Sequence, residues 1–260
     1  DALIPPLTSV TEDNPSVYEL GCHQNQRLDG ARMCEYGPTD GPTVALVGDS
    51  HSAQWVPAFE EIVAEEGWHF VSFSKSACPF GLMMVGLDGG TYDSCLAWNN
   101  NVIDRLIVEV RPDLVISTAS VTNLPVNPDG SIPDSMEERV EMYRRGLTEA
   151  VARLTAEGIP VVLMADTPRP GRDIPECLAS EESISECSRA RDEAEIENIH
   201  QVVASELGLP FVDMTDHICT PNVCPAVIDG VIVWRDDGHL TATYSAMLAP
   251  VLLNALPDVR

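Results

Sequence analysis

From residue 41 onward, short apolar runs alternate with longer amphipathic runs, and no other feature of the sequence constrains the fold as strongly. A strand buried in a parallel sheet reads as a continuous apolar run, whereas a helix repeats its apolar positions every three or four residues. The strand-like runs are TVALVG at 43–48, WHFVSFS at 68–74, DLVIST at 113–118, PVVLMA at 160–165 and PFVDM at 210–214. Helical runs fall at 52–66, 96–110, 135–157, 188–207 and 241–255. This order predicts an α/β fold, a flavodoxin-like three-layer α/β/α sandwich built on a parallel sheet.

The first forty residues differ from the rest of the chain. Residues 1–40 carry prolines and a pair of cysteines but no sustained periodicity, so we expect an irregular N-terminal extension packed on a main domain at 41–260. Apolar residues make up 44% of the 260 residues, which is enough for a substantial core. No apolar run approaches the roughly 18 residues that a membrane span needs, and DALIPPLTSV lacks the basic and apolar regions of a signal peptide.

The charge balance is strongly acidic, with 15 basic and 41 acidic residues and a formal net charge of −26. A field of this sign repels the phosphate backbone of nucleic acids and disfavours anionic lipid surfaces. The acidic residues are spread along the chain rather than gathered in a tail. We therefore expect no nucleic-acid partner.

The eight cysteines form four sequential pairs, each in or beside loop sequence rich in proline, glycine or serine. The pairs are Cys22–Cys34, Cys78–Cys95, Cys177–Cys187 and Cys219–Cys224. No C-x-x-C motif occurs, and zinc sites usually combine tighter spacing with histidine partners. We expect four loop-closing disulfides and no metal, which places the domain outside the reducing cytosol.

Ligands of open parallel sheets bind beyond the carboxyl ends of the strands. The polar residues expected at that edge are Asp49, Ser50, Ser74, Lys75, those at 118–123, Asp166 and Asp213. Ser50 can cap the following helix, or it can be a nucleophile, because Gly48 permits a tight turn and a helix N-terminus offers free amides. The residues alone leave both interpretations open. The hydrolase elbow G-x-S-x-G is absent, since position 52 is serine.

A nucleophilic serine needs a histidine base and an acid that orients it. His239 has the best context, because it precedes the last helix and Asp236 lies three residues upstream, within one short turn. His217, with Asp216 beside it, is the competitor. We expect the turn after Ser50 to direct the neighbouring His51 elsewhere. The remaining histidines fall within a strand, within a helix and in the extension: His69, His200 and His23.

The motifs GDSHSAQWVPAF, KSACPF, CLAWNNNV and RDDGHLTATYSAMLAP, taken together, resemble the SGNH (GDSL-type) hydrolase superfamily. More narrowly, they resemble the extracytoplasmic SGNH domain attached to membrane acyltransferase-3 proteins, which O-acylate cell-envelope glycans in bacteria. The cysteine-bearing stretch YELGCHQNQRLDGARMCEYG is similar to the segment that precedes such domains. The resemblance covers most of the chain.

The resemblance implies that Ser50 is the nucleophile, His239 the general base and Asp236 the orienting acid. It also implies an oxyanion hole built from the nucleophile's amide, a glycine after the second strand and an asparagine after the third. This sequence departs from that pattern, since the second strand ends in Ser74-Lys75. The amides of Ser50 and of Ser74 or Lys75 are the candidate donors, and Asn123 is the third.

The function that the resemblance implies is serine-dependent transfer of an acyl group, acetyl by expectation, to a hydroxyl of a cell-envelope glycan or glycolipid. An acyltransferase-3 membrane domain, expected in the same protein and upstream of Asp1, would deliver the acyl group at the outer face of the membrane. No cofactor is expected. Two alternatives remain open: a secreted carbohydrate acetyl-esterase with the same triad, and a non-catalytic glycan-binding module.

Overall fold

The computed structural model of the protein describes residues 2–180 and 183–259, and its centre is a sheet of seven strands. The strands of the described residues, inside and outside this sheet, are β1 (His23–Gln24), β2 (Cys34–Tyr36), β3 (Thr43–Gly48), β4 (His69–Lys75), β5 (Gly86–Leu87), β6 (Gly90–Thr91), β7 (Leu114–Thr118), β8 (Val161–Met164), β9 (Arg189–Ala190), β10 (Phe211–Val212), β11 (Val223–Cys224), β12 (Val227–Ile228) and β13 (Val231–Ile232). In the central sheet, β1, β4, β3, β7, β8 and β10 lie side by side and run parallel, while β2 pairs antiparallel with β4. The other strands form three short antiparallel pairs.

Helices cover the sheet on both faces. They are α1 (Ser16–Glu19), α2 (Ser50–Ala53), α3 (Val56–Glu66), α4 (Asp93–Arg105), α5 (Met136–Ala156), α6 (Ile174–Ser180), α7 (Arg191–Ala194), α8 (Ile199–Leu207), α9 (Thr215–Ile218), α10 (Ala242–Met247) and α11 (Ala249–Ala255). Short 3-10 turns lie at Val10–Glu12 and Ile184–Cys187, and a π-helical turn at Leu106–Val110 follows α4. No helix in the described part of the chain is long and apolar enough to span a membrane.

The alternation of side chains along the strands builds two separate cores, because successive residues of a strand point to opposite faces. In β3, Val44 and Leu46 pack with α3, α10 and α11, while Ala45 and Val47 pack with α4, α5 and α8. All four side chains are fully buried. The five strands β3, β4, β7, β8 and β10 take the spatial order 2-1-3-4-5 of flavodoxin-like sheets. The predicted three-layer sandwich is confirmed.

Two of the predicted helices are broken in the structure, and a proline follows each break. The run at 52–66 divides into α2 and α3, with Pro57 in the first turn of α3. The run at 241–255 divides at Leu248, and Pro250 stands in the first turn of α11. Proline has no N–H to continue a helix but fits the first turn, so each one starts a new helix.

The run at 188–207 was predicted as one helix, and this prediction is wrong. Residues 189–190 form β9, which pairs antiparallel with β11 near the Cys219–Cys224 disulfide. The chain then forms α7 and is extended again at Glu195 before Asn198 caps α8. Pairing with a distant strand outweighed the local helical pattern, since helix propensity is a weak preference that tertiary contacts override.

The N-terminal segment joins the central sheet rather than only resting on it. Strands β1 and β2 share the outer edge of β4, one parallel and the other antiparallel. Lys75, at the end of β4, is fully buried, and its ammonium donates to the carbonyl oxygens of Asn25 (2.7 Å) and Leu28. These contacts fasten the segment, while the division of the chain at residue 40 stays a prediction.

Four disulfides close loops around the sheet. They are Cys22–Cys34, Cys78–Cys95, Cys177–Cys187 and Cys219–Cys224, with sequence separations of 12, 17, 10 and 5 residues. None of the eight cysteines is free. Each bridge joins a cysteine to the next one along the chain, so each restrains only a local loop of the unfolded state.

We expect the cost of removing a bridge to follow the size of the loop it closes. Serine at Cys78 and Cys95 should lower the free energy of unfolding by about 3 kcal/mol, and serine at Cys219 and Cys224 by about 2 kcal/mol. Denaturant unfolding of the two double variants measures the difference. Peptide mapping under non-reducing conditions checks the pairing itself. Free thiols at several positions, or bound zinc, would contradict it.

Candidate active site

The turn between β3 and α2 presents Ser50 at the edge of the sheet. Gly48 ends β3, and a Cβ atom at this position would lie 2.0 Å from the carbonyl oxygen of Thr118. Only glycine permits so close an approach of the two chains. The N-cap of α2 is Asp49, whose carboxylate accepts the amide of His51 at 2.8 Å. Ser50 is therefore the first residue of the helix, and its hydroxyl does not cap it.

Three side chains from opposite ends of the chain form a continuous line of hydrogen bonds. Nε2 of His239 lies 2.8 Å from Oγ of Ser50, and Nδ1 of the same ring lies 2.8 Å from Oδ2 of Asp236. The other carboxylate oxygen of Asp236 accepts the amides of Gly238 (2.9 Å) and His239 (2.6 Å). The short turn 236–239 thus holds acid and base in fixed relation, and the structure brings both to Ser50.

The carboxylate of Asp236 is kept ionised by these partners. Burial acts to raise its pKa, but the hydrogen bonds and charge of His239 and the two backbone amides outweigh burial and lower the pKa to about 2. An ionised acceptor keeps the Nδ1 proton of His239 on the side of Asp236. The lone pair on Nε2 then faces the hydroxyl of Ser50, which is the arrangement a general base requires.

The hydroxyl of Ser50 opens into a cavity of about 790 Å³ at the carboxyl edge of the sheet. Its lining combines residues that follow β3, β4, β7 and β8 with the turn before α10. They are Ser50, His51, Ala77, Ser120, Thr122, Asn123, Arg169, Gly171, Arg172, Asp173, Asp237, Gly238 and His239. A cavity at the carboxyl ends of parallel strands is where the sheet topology places a ligand.

His51 lines this cavity too, so the expectation that the turn directs it elsewhere is wrong. Its ring centroid lies 4.7 Å from that of His239. Its Nδ1 is 2.7 Å from Oδ1 of Asp166, which follows β8 at the same edge of the sheet. Because α2 begins at Ser50, consecutive residues both reach the cavity, and no local pattern identifies Asp166 as the partner.

The competing histidine lies elsewhere. His217 lies within α9, is exposed, and lines a separate cavity with the Cys219–Cys224 loop. Asp216 pairs with Arg191 at 2.7 Å instead of orienting a ring. Neither residue lines the cavity at Ser50.

Three further histidines do not line the cavity at Ser50. Burial lowers the pKa of His23, bonded to Ser74 and Ser76, to about 4, and it does the same for the fully buried His200. His69 lies 3.4 Å from Glu35 on the outer strands.

The three candidate oxyanion donors other than Ser50 have different surroundings. Ser74 and Lys75 are buried between β3 and β1, and neither lines the cavity. Asn123 does line the cavity, and its side-chain amide donates one hydrogen bond, of 3.1 Å, to Oδ2 of Asp49.

Ala77 is a cavity residue that the sequence analysis missed. Its φ is +53°, a left-handed conformation that a residue with a Cβ adopts at a cost. Its amide donates to no other group in the described residues, although those of Ser76 and Cys78 do. The sequence carries no signal for this conformation, because glycine is the residue type that usually marks it.

Metal-ligating side chains do not cluster in residues 2–180 and 183–259, where no group of three or more His, Cys, Asp or Glu could hold an ion.

A family profile described as "SGNH domain (fused to AT3 domains)" matches residues 21–254. The periplasmic domain of the lipopolysaccharide acetyltransferase of Salmonella ser. Paratyphi A has a similar structure, with a TM-score of 0.60 and 15% identity over 84% of each chain. An acetylxylan esterase of Geobacillus stearothermophilus is less similar, with a TM-score of 0.47 and 15% identity over 85% of this chain and 96% of that one.

A search of individually curated proteins gave no match. The family profile, in contrast, spans nearly the whole chain, and it covers β1 to β13, the turn at Ser50 and the turn 236–239. The chain belongs to the family of SGNH domains that are fused to AT3 domains.

Proposed function

We propose that this domain transfers an acetyl group to a hydroxyl of a cell-envelope glycan or glycolipid through an acyl-serine intermediate. The observation that carries the proposal is the line of hydrogen bonds from Ser50 through His239 to Asp236, at 2.8 Å each, on the wall of a cavity. The general triad logic requires a nucleophile, a base and an orienting acid in this order. No other histidine in the described residues stands between a serine and a carboxylate in that cavity.

In the first half of the reaction, Oγ of Ser50 attacks the carbonyl carbon of the acyl donor while Nε2 of His239 takes the hydroxyl proton. The tetrahedral intermediate collapses, and the imidazolium returns that proton to the leaving group of the donor. In the second half, a glycan hydroxyl loses its proton to His239 as its oxygen attacks the acyl-serine. Collapse forms the new ester and restores the proton to Ser50.

We assign the oxyanion to amides that face the cavity. The amides of Ser50 and Ala77 are both free of hydrogen bonds to described residues, and both residues line the cavity. The side-chain amide of Asn123 has a second N–H beyond the one bonded to Asp49. Two or three N–H donors aimed at one oxygen stabilise the developing negative charge, because they need no reorientation during the reaction.

Membership of the family supports a proposal for the acyl donor and for the location. Its SGNH domains are fused to AT3 domains, and we propose that a membrane acyltransferase-3 domain hands the acyl group to Ser50. The four disulfides suit an oxidising compartment, so we place the domain on the outer side of the cytoplasmic membrane. The same triad can pass the acyl group to water, and the alternative is therefore an acetyl-esterase.

Replacing the nucleophile tests the proposal most directly. Ser50→Ala should reduce hydrolysis of an activated acetyl ester by about five to six orders of magnitude and abolish labelling by a fluorophosphonate. Its melting temperature should change little, because Asp49 is the helix cap. Ser52→Ala is the matched control: that hydroxyl lies in the same helix, is buried and has no partner in the described residues. Full labelling of Ser50→Ala would refute the assignment.

The identity of the base is tested with three variants and one activated acetyl ester. His239→Ala should remove nearly all activity. Asp236→Asn should cost about 10⁴-fold, because an amide N–H facing Nδ1 forces the ring proton onto Nε2, where it blocks the base. His217→Ala should retain wild-type activity. An inactive His217→Ala enzyme together with an active His239→Ala enzyme would assign the general base to His217 instead of His239.

Transfer and hydrolysis can be separated by the fate of one intermediate. With the donor concentration held constant, increasing the concentration of a glycan acceptor should increase the yield of acetylated sugar and decrease the yield of acetate. Total consumption of the donor should stay unchanged if acylation of Ser50 is rate-limiting. Quantifying both products by mass spectrometry measures the partition. The acceptors should include envelope glycans of a bacterium that encodes a protein of this family. If none of the acceptors changes the release of acetate, the esterase alternative is favoured.

A further inference from the structure

A second group of bonded side chains lies in the same cavity, beside the triad. Arg169 donates from Nη1 to Nε2 of His51 at 2.9 Å, and from Nη2 to Oγ of Ser120 and Oδ2 of Asp166, both at 2.7 Å. Asp166 completes the group through Nδ1 of His51 at 2.7 Å. The proposed triad uses none of these four residues.

The pattern of donors fixes the state of His51. Asp166 and Arg169 occupy both ring nitrogens, and a guanidinium can only donate. Nδ1 of His51 therefore donates to Asp166, and Nε2 accepts from Arg169 through its lone pair. Nε2 of His239 meets the hydroxyl of Ser50, which can give up a proton, whereas Nε2 of His51 meets a guanidinium, which cannot. We infer that His51 is a positioning residue whose role is to hold Arg169.

Arg169 is held rigidly but not enclosed. The side chain of Asp166 beneath it is completely buried, whereas that of Arg169 is 18% exposed and lines the cavity. Burial acts to raise the pKa of Asp166, but the hydrogen bond from His51 and the charge of Arg169 outweigh burial and lower the pKa, so the carboxylate stays charged. At Gly238, a Cβ atom would lie 2.9 Å from Nη1 of Arg169. The glycine leaves the space that the guanidinium occupies.

Further guanidinium groups lie on the same wall. Arg172 lines the cavity, and Arg189 packs over Gly171, where a Cβ atom would be 2.6 Å from its Nη1. Arg189 also donates to the carbonyl oxygen of Arg169 at 3.1 Å. Of the chain's 15 basic residues, three thus lie around one segment of four residues, and Arg189 also pairs with Glu193 at 3.7 Å.

The acidic groups around the cavity are engaged by other groups or exposed to solvent, and Asp166 balances the charge of Arg169. Asp173 accepts the amide of Glu176 at 2.7 Å and so stabilises the N-terminus of α6. Asp237 is exposed. Asp236 is engaged by His239, and Asp166 is covered by Arg169 itself.

We propose that Arg169 forms an anion-binding subsite of the cavity, which takes the carboxylate or phosphate group of an acidic glycan acceptor. This proposal rests on the proposed function for the identity of the acceptor. A guanidinium fixed in advance by three partners binds an anionic oxygen without losing side-chain freedom on binding. It also offsets the repulsion that a chain of net charge −26 exerts on an acidic glycan.

The position of the subsite relates the charged group to the reacting hydroxyl. Arg169 bonds to His51, and the ring of His51 lies 4.7 Å from the ring of the base His239. An acidic group on Arg169 and a hydroxyl at His239 therefore belong to the same sugar residue or to neighbouring ones. Acceptors of this class carry their charge close to the hydroxyl that is acylated.

The experiment is a binding measurement on the Ser50→Ala protein, which cannot turn over. Calorimetric titrations at low ionic strength compare glucuronate with glucuronamide, its uncharged analogue, and glucose 6-phosphate with glucose. We expect at least one anionic sugar to bind about 10-fold more tightly than its neutral counterpart. The preference should disappear when Arg169→Met is added. It should persist when the exposed Arg145→Met is added instead, since Arg145 does not line this cavity.

Each result decides the question. A preference for glucuronate alone identifies a carboxylate ligand, a preference for glucose 6-phosphate alone identifies a phosphate, and either supports the subsite. Equal binding of both members in both pairs overturns it, as does a preference that survives Arg169→Met.

If Arg169→Met does not fold, Arg169→Lys replaces it. Because one ammonium group cannot hold three partners and a ligand, the preference for the anionic sugar should fall at least about threefold. An unchanged preference in Arg169→Lys overturns the subsite.

This outcome is independent of the triad. Fluorophosphonate labelling of the wild-type protein tests Ser50, while the sugar titrations use a protein without that hydroxyl. Labelled Ser50 with no anion preference would refute only the subsite. Anion preference without any labelling would refute only the acyl-transfer function.

Discussion

The carboxylate of Asp49 joins the two loops on which the cavity depends. It accepts the amide of His51 at 2.8 Å, the amide of Ser120 at 3.0 Å and the side-chain amide of Asn123 at 3.1 Å. Asp49 is fully buried, and burial raises its pKa despite these donors. Because this one side chain ties the turn after β3 to the loop after β7, the directions of Ser50 and His51 are set together with those of Ser120 and Asn123.

Two histidine–carboxylate pairs share the cavity, and the group that meets the second ring nitrogen separates their roles. For His239 that group is the hydroxyl of Ser50, which can give up a proton. For His51 it is the guanidinium of Arg169, which cannot. Under the two proposals, the same pair of residue types supports a proton transfer in one place and a fixed positive charge in the other. Proximity to a carboxylate alone would not distinguish them.

Much of the fold could be predicted from local pattern, because strand burial and helix periodicity are properties of short segments. The five strands β3, β4, β7, β8 and β10 and the alternation of β3 between two cores follow from apolar runs and period two. One error occurred where a distant contact outweighed local preference. The pairing of β9 with β11 broke the helix predicted at 188–207. The partner strand β11 lies more than thirty residues away from β9, and nothing in the sequence of residues 188–207 indicates this pairing.

By itself, the sequence determined what one turn or one strand can settle: the layered α/β class, the sequential cysteine pairs, and the placement of Asp236 beside His239 three residues on. Tertiary structure alone decided which residues meet across the sheet. Ser50 and His239 are 189 residues apart, and His51 and Asp166 are 115 residues apart. The order of strands in the sheet brings their loops to one edge. That order is fixed by packing among many strands and helices, so no local stretch of sequence could name Asp166 and Arg169 as the partners of His51.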